Sequence, residues 1–248
     1  MAYKLISPPE NWQGAVDIPD ATLPVLERLA RQYGGTFKLE DRKVYFHPTK
    51  PMAAPRFDRP KQGDLKLDVP YYSQLDSQIY GGAQALRMCQ SSSCAMLLKY
   101  LKPGALSDRP NADDDYLDRV LNDYGDTTDG SAHERCLRKQ FKLDVSFRQN
   151  LSWKDVDTQL AAGIPVPIGI LHRGHVSQPN GGGHWIVVVG RRADGSAYYV
   201  HDPAGELDLV DGQYLGTDGK YQLYSAGNLG RRWMAEGNGS GWGFIARR

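Results

Sequence analysis

Apolar residues recur at Cys94, Leu97, Leu98 and Leu101 in the stretch that begins at Ser91, the i, i+3, i+4, i+7 spacing of a core-facing helical face. The pattern predicts a helix from Ser91 onward, with Cys89 standing just ahead of the apolar stripe. A second pattern lies far downstream. Trp185–Val189 is an unbroken apolar run between Gly181-Gly182-Gly183-His184 and Gly190, which reads as a strand buried on both faces.

Between these landmarks, residues 111–125 read as a helix with Asp113, Asp114 and Asp115 in its first turn and Gly125 as its stop. Ser152–Gly163 has the polar start and glycine end of a short capped helix. Ile164–Leu171 follows as a buried strand whose Pro165 and Pro167 suggest an edge position or an irregular start. The turn Arg191–Ser196 joins the Trp185–Val189 strand to a partner over Ala197–Val200. The segments Asp208–Leu215, Lys220–Tyr224, Arg231–Gly237 and Gly241–Ile245 read as strands and glycine turns that complete the sheet.

The first residues form a different pattern. Thr22 can cap a helix over Leu23–Tyr33, Gly34-Gly35 ends it, and Thr36–Leu39 with Val44–Phe46 reads as a hairpin. Pro48, Pro51, Pro55 and Pro60 among basic residues mark an extended tether. The expected organisation is a helix-hairpin module over 1–47, a linker over 48–63 and a main domain over 64–248. Leu65–Val69 opens that domain as a short strand.

Composition is that of an ordinary soluble globular chain. Lys+Arg 30 against Asp+Glu 29 leaves a net charge of +1, so no bulk field draws the protein to nucleic acid or to an anionic membrane. No stretch approaches the roughly 20 apolar residues of a membrane span, and the N-terminus has no signal-peptide pattern. These features set the expectation of a cytoplasmic monomer. Three cysteines without regular spacing argue against a disulfide scaffold and a structural zinc site.

The cysteines differ in position. Cys94 lies on the apolar stripe and Cys136 has no accompanying motif, so both read as packing residues. Cys89 stands at a helix N-terminus, where unsatisfied N–H groups and the helix dipole stabilise negative charge. It is the candidate nucleophile. His184, at a strand start behind three glycines, is a candidate general base. Antiparallel pairing of its strand with the next would bring Asp202 near it, and alternation sends His201 to the opposite face. Gln74, Gln78 and Gln84 all precede Cys89 closely enough to supply an oxyanion donor. The Asp113–Asp115 cluster is accounted for as a helix start and lacks the spacing of a calcium loop.

With these residues in view, the chain resembles the papain-like cysteine peptidases of the bacteriocin-processing family, peptidase C-thirty-nine, and in particular its soluble phage-type members. The likeness covers about residues 65–205 and is carried by Val69–Asp76, the Cys89 helix, Leu160–Val166, Gly183–Gly190 and Val200–Pro203. It implies an α+β papain-like fold, a central Cys-bearing helix on an antiparallel sheet, with the N-terminal αββ module as an extension. It also implies Cys89 as nucleophile, His184 as base and acid, Asp202 as its orienter and Gln74 as oxyanion donor, with no cofactor. The chain departs from the family at Gln90-Ser91, where Gly-Pro is usual. His172–His175, Asp202–Glu206 and Arg231–Gly237 look like phage-encoded members. By that likeness the partner is bacterial peptidoglycan, and the protein is an endolysin held in the host cytoplasm until a separate pore releases it.

Overall fold

The structure, a computed structural model, describes residues 14–17, 35–40, 43–48, 63–80 and 82–247. The chain divides into two compact units, Met1–Arg59 and Pro60–Arg248. In the first, β1 (Gly14–Asp17), β2 (Gly35–Glu40) and β3 (Lys43–Pro48) make an antiparallel sheet in the order β1-β3-β2, with Phe37 opposite Phe46. The hairpin segments correspond to β2 and β3, and a third strand joins them. The helix expected over Leu23–Tyr33 and residues 49–62 of the expected tether lie outside the described residues.

The second unit is a mixed helix and sheet structure built on a seven-stranded antiparallel sheet. Its order is β11 (Gln222–Ser225), β8 (Ala197–His201), β7 (His184–Arg191), β6 (Val166–Ile170), β12 (Gly241–Arg247), β5 (Asp144–Leu151), with β4 (Leu65–Lys66) also paired to β7. The period of two in β7 divides the interior. Trp185, Val187 and Val189 join one core, and Ile186 and Val188 join the other. Each face therefore needs its own helical cover.

On the first face lie α2 (Cys89–Leu101), α3 (Asp113–Asp123) and α4 (Gly130–Arg135), the last running into a π-helical turn over Cys136–Gln140; a short α1 (Gly82–Ala85) precedes them. On the second face lie α5 (Trp153–Ala161) and α6 (Ala226–Trp233), with Val156, Leu160, Leu229 and Trp233 buried against the sheet. Helix α2 begins two residues earlier than its stripe suggests. It is buried around its whole circumference from Gln90 to Leu98, because α3 closes over the polar Gln90–Ser93 face. Ser91 hydrogen-bonds Thr127 (2.6 Å) and Ser92 donates to Asp113, whereas the Gln90 amide and the Ser93 hydroxyl are buried without a hydrogen-bond partner among the described residues.

Three expectations are corrected by the structure. Strand β6 is interior, between β7 and β12; β12 pairs only with Ile168 and Gly169, so Pro167 falls outside that ladder and its missing N–H is tolerated. Residues 226–233 are helical, because Ser225 caps the Asn228 N–H (3.3 Å) and Leu229 and Trp233 bury, which outweighs Gly227 and Gly230. The segment 206–216 stays out of the main sheet: β9 (Glu206–Asp208) and β10 (Gln213–Gly216) form a ribbon of their own. By contrast α5 carries the expected capping box, with the Asp155 carboxylate accepting from the Ser152 N–H at 2.8 Å. Among the described residues no helix is long and apolar enough to cross a membrane.

Candidate active site

Cys89 is the first residue of α2, and no side chain caps that helix end. The preceding Met88 is fully buried and fixes the backbone there, and the Thr127 hydroxyl reaches the Arg87 carbonyl at 3.5 Å. The Cys89 side chain is partly exposed, whereas Cys94 and Cys136 are buried. Burial pushes the Cys94 thiol well above its ordinary range and Cys136 up to about 12, so both stay protonated. Of the three sulfurs only Cys89 is in reach of a substrate.

His184 is the first residue of β7, and Asp202 follows the last residue of β8. Antiparallel pairing sets Val187 opposite His201, which brings the two residues to the same end of the sheet. His184 Nε2 meets Asp202 Oδ1 at 2.7 Å, with the side chains 6% and 0% exposed, so water hardly screens the pair. The remaining nitrogen, Nδ1, is left for Cys89, whose side chain lies close enough to the ring to favour its charged form. Burial opposes charging of His184, but the Asp202 carboxylate and then Cys89 more than offset it and raise the imidazole to about 10. The ring is an imidazolium at neutral pH.

Asp202 is itself held from several directions. Oδ1 also accepts from the Ala204 N–H (2.9 Å), and Oδ2 accepts from the Tyr224 hydroxyl (3.3 Å). Its backbone N–H donates to the Gly219 carbonyl (2.9 Å), and its carbonyl accepts from Tyr71 (3.0 Å). A side chain at Gly219 would run into the Asp202 carbonyl, so this approach needs glycine. His201 points away, donating to the Val69 carbonyl (3.0 Å) and accepting from the Tyr221 N–H (3.0 Å). Burial lowers it to about 4, so it is a neutral structural residue.

The three glutamines differ sharply in position. Gln74 is 3% exposed; its N–H donates to the Pro203 carbonyl (3.0 Å) and its Nε2 to the Ala85 carbonyl (3.2 Å), tying the Asp202 loop to the segment leading into Cys89. An amide nitrogen carries two hydrogens, and the bond to Ala85 uses one. Gln78 is exposed, and the Gln84 carbonyl oxygen accepts from Arg87 (3.4 Å). Among the expected residues, the structure thus brings Cys89, His184 and Asp202 together, with Gln74 bridging their supporting loops.

Sequence reasoning passed over three contributors. The Tyr214 ring stands edge-on to His184 (5.9 Å between centroids, 86°). The His172 ring lies 5.5 Å from that of His184. Arg232, fully buried, donates to the carbonyls of Leu209 (2.8 Å), Leu171 (2.9 Å), Arg173 (3.1 Å) and Gly174 (2.7 Å). It binds the His172 loop to the chain that enters the Tyr214 ribbon. No periodicity signals such a staple; the two segments are 30 or more residues apart and meet only in the fold. The Asp113 and Asp114 side chains stand in the first turn of α3, as expected, and are buried there; burial raises Asp113 to about 7.

A thiol at the head of a central helix, facing a carboxylate-bound imidazole at a strand start, is the architecture of a papain-like cysteine peptidase. The comparisons agree. The Peptidase_C39 like family matches residues 66–225, and the chain belongs to that family. A crystal structure described as a C39-like peptidase from Bacillus anthracis shares the fold, with a TM-score of 0.51, 14% identity and coverage of 75% of this chain and 98% of that one. No curated protein matches.

Proposed function

We propose that this protein is a cysteine peptidase or amidohydrolase that cleaves amide bonds in bacterial peptidoglycan, serving as a phage-type endolysin in host lysis. The observation that carries the chemistry is the 2.7 Å His184–Asp202 pair, which leaves the other ring nitrogen for Cys89. The Cys89 thiolate attacks the amide carbonyl carbon, forming the C–S bond. The oxyanion is held by the second N–H of the Gln74 amide and by the backbone N–H of Cys89. His184 passes a proton from Nδ1 to the departing nitrogen as the C–N bond breaks. It then takes a proton from water, which attacks the thioester and frees the carboxylic acid and the thiolate. No cofactor enters either half of the reaction.

What supports the wall as substrate is the likeness of His172–His175, Asp202–Glu206 and Arg231–Gly237 to phage-encoded members. Two of these segments are joined directly through Arg232, which holds the loop that carries His172 beside His184. Purified wall preparations should clear with the native protein and not with Cys89→Ala, and mass spectrometry of the released fragments identifies the bond cut. Equal clearing by both proteins refutes the nucleophile. Cleavage of casein-like proteins with intact walls refutes the substrate.

A further inference from the structure

We infer that His172 is a substrate-positioning residue on the leaving-group side of His184, holding the departing amine and then the hydrolytic water against the His184 ring. This rests on the reading of Cys89 and His184 as nucleophile and base.

Placement comes from the sheet. Ile170 at the end of β6 pairs with His184 at the start of β7, so His172 lies two residues past the strand end, where the main-chain ladder has stopped. Its loop is not free to drift. Arg232 grips the carbonyls of Leu171, Arg173 and Gly174, the Leu171 N–H donates to the Arg232 carbonyl (2.9 Å), and Arg173 pairs with Asn180 (2.9 and 3.0 Å). The backbone that carries His172 is therefore held in place on both flanks.

The ring is chemically suited to the role. His172 Nδ1 is buried and has no hydrogen-bond partner among the described residues, a rare condition for a buried polar atom, while the residue as a whole is only partly buried and leaves the Nε2 edge of the ring to meet a small polar guest. Its centroid is 5.5 Å from that of His184, at 55°. Two imidazolium ions at that separation repel. The charge stays on His184, beside Asp202; burial, then His184 and Arg173, keep His172 down at about 4 and therefore neutral. A neutral imidazole has one donor and one acceptor, which is what an amine or a water needs for orientation. It does not compete for the proton that His184 must move.

The test separates acylation from deacylation with p-nitrophenyl acetate, whose nitrophenolate leaves without needing a proton. In His172→Ala the burst of nitrophenolate should keep its rate within about twofold. The steady-state phase should slow about tenfold or more, the equivalent of one lost orienting hydrogen bond, and acetyl-Cys89 should accumulate in the mass spectrum. His172→Asn, which keeps a donor and an acceptor, should recover part of the loss. Deacylation as fast as in the native protein overturns the role, and so does an equal fall in burst and steady state, which a merely structural residue would cause. A burst retained in Cys89→Ala would instead sink the nucleophile reading itself, so the two failures are distinguishable.

Discussion

Asp202→Asn is the perturbation most diagnostic of the site. The substitution keeps an oxygen for the Ala204 N–H and the His184 ring, and removes the charge together with the Oδ2 acceptor of the Tyr224 hydroxyl. Breaking a buried ion pair by removing one partner costs ~3–5 kcal/mol; a neutral hydrogen bond left in its place returns ~1 kcal/mol. The expected net loss is ~2–4 kcal/mol where His184 is charged in the native protein. An unfolded histidine titrates near 6.5 and the native ring at about 10. The pair's contribution is therefore fully present below pH 6.5 and fades as pH rises through 10. Urea unfolding of both proteins at pH 6 and pH 10.5 should show a large deficit at the first and a small one at the second. Activity should fall about 10²–10⁴-fold as the ring loses its orientation and charge. A stability deficit of equal size at both pH values, or none, would refute the charged pair.

Other outcomes follow from the same geometry. Gln74→Ala should lower kcat about 10²–10³-fold with KM little changed if its amide serves the oxyanion, whereas Gln78→Ala should match the native enzyme. Asp113→Asn should stabilise the protein at pH 8 but not at pH 3.5. The native carboxyl titrates at about 7 and the unfolded one near 3.8, so stability falls across that window; at ~1.4 kcal/mol per pH unit the gain has a ceiling of ~4 kcal/mol. Gly219→Ala should lower activity by displacing the Asp202 backbone, read as a fall in kcat larger than any fall in urea midpoint. Arg232→Ala leaves several buried carbonyls without a donor, each costing ~1–3 kcal/mol, and should lower the urea midpoint sharply.

Much of this was legible from residue order because it is local or periodic. The Cys94, Leu97, Leu98 stripe placed a helix behind Cys89, the Ser152–Asp155 box opened α5, and the apolar run after His184 specified a strand buried on both faces. Alternation in β8 was enough to turn His201 away from Asp202. The rest depended on contacts between segments distant in the chain. The place of β6 inside the sheet depends on where β12 returns, some 70 residues later, and the helix at 226–233 exists because Leu229 and Trp233 find a face to bury. Helix α2 is enclosed on its polar side because α3 supplies Asp113 to Ser92. Tyr214 and His172 flank His184 through Arg232, whose donors reach backbone carbonyls that carry no side-chain signature. Periodicity specifies which face of an element is apolar; only the packed fold selects which face meets which, and hence what surrounds the reacting sulfur.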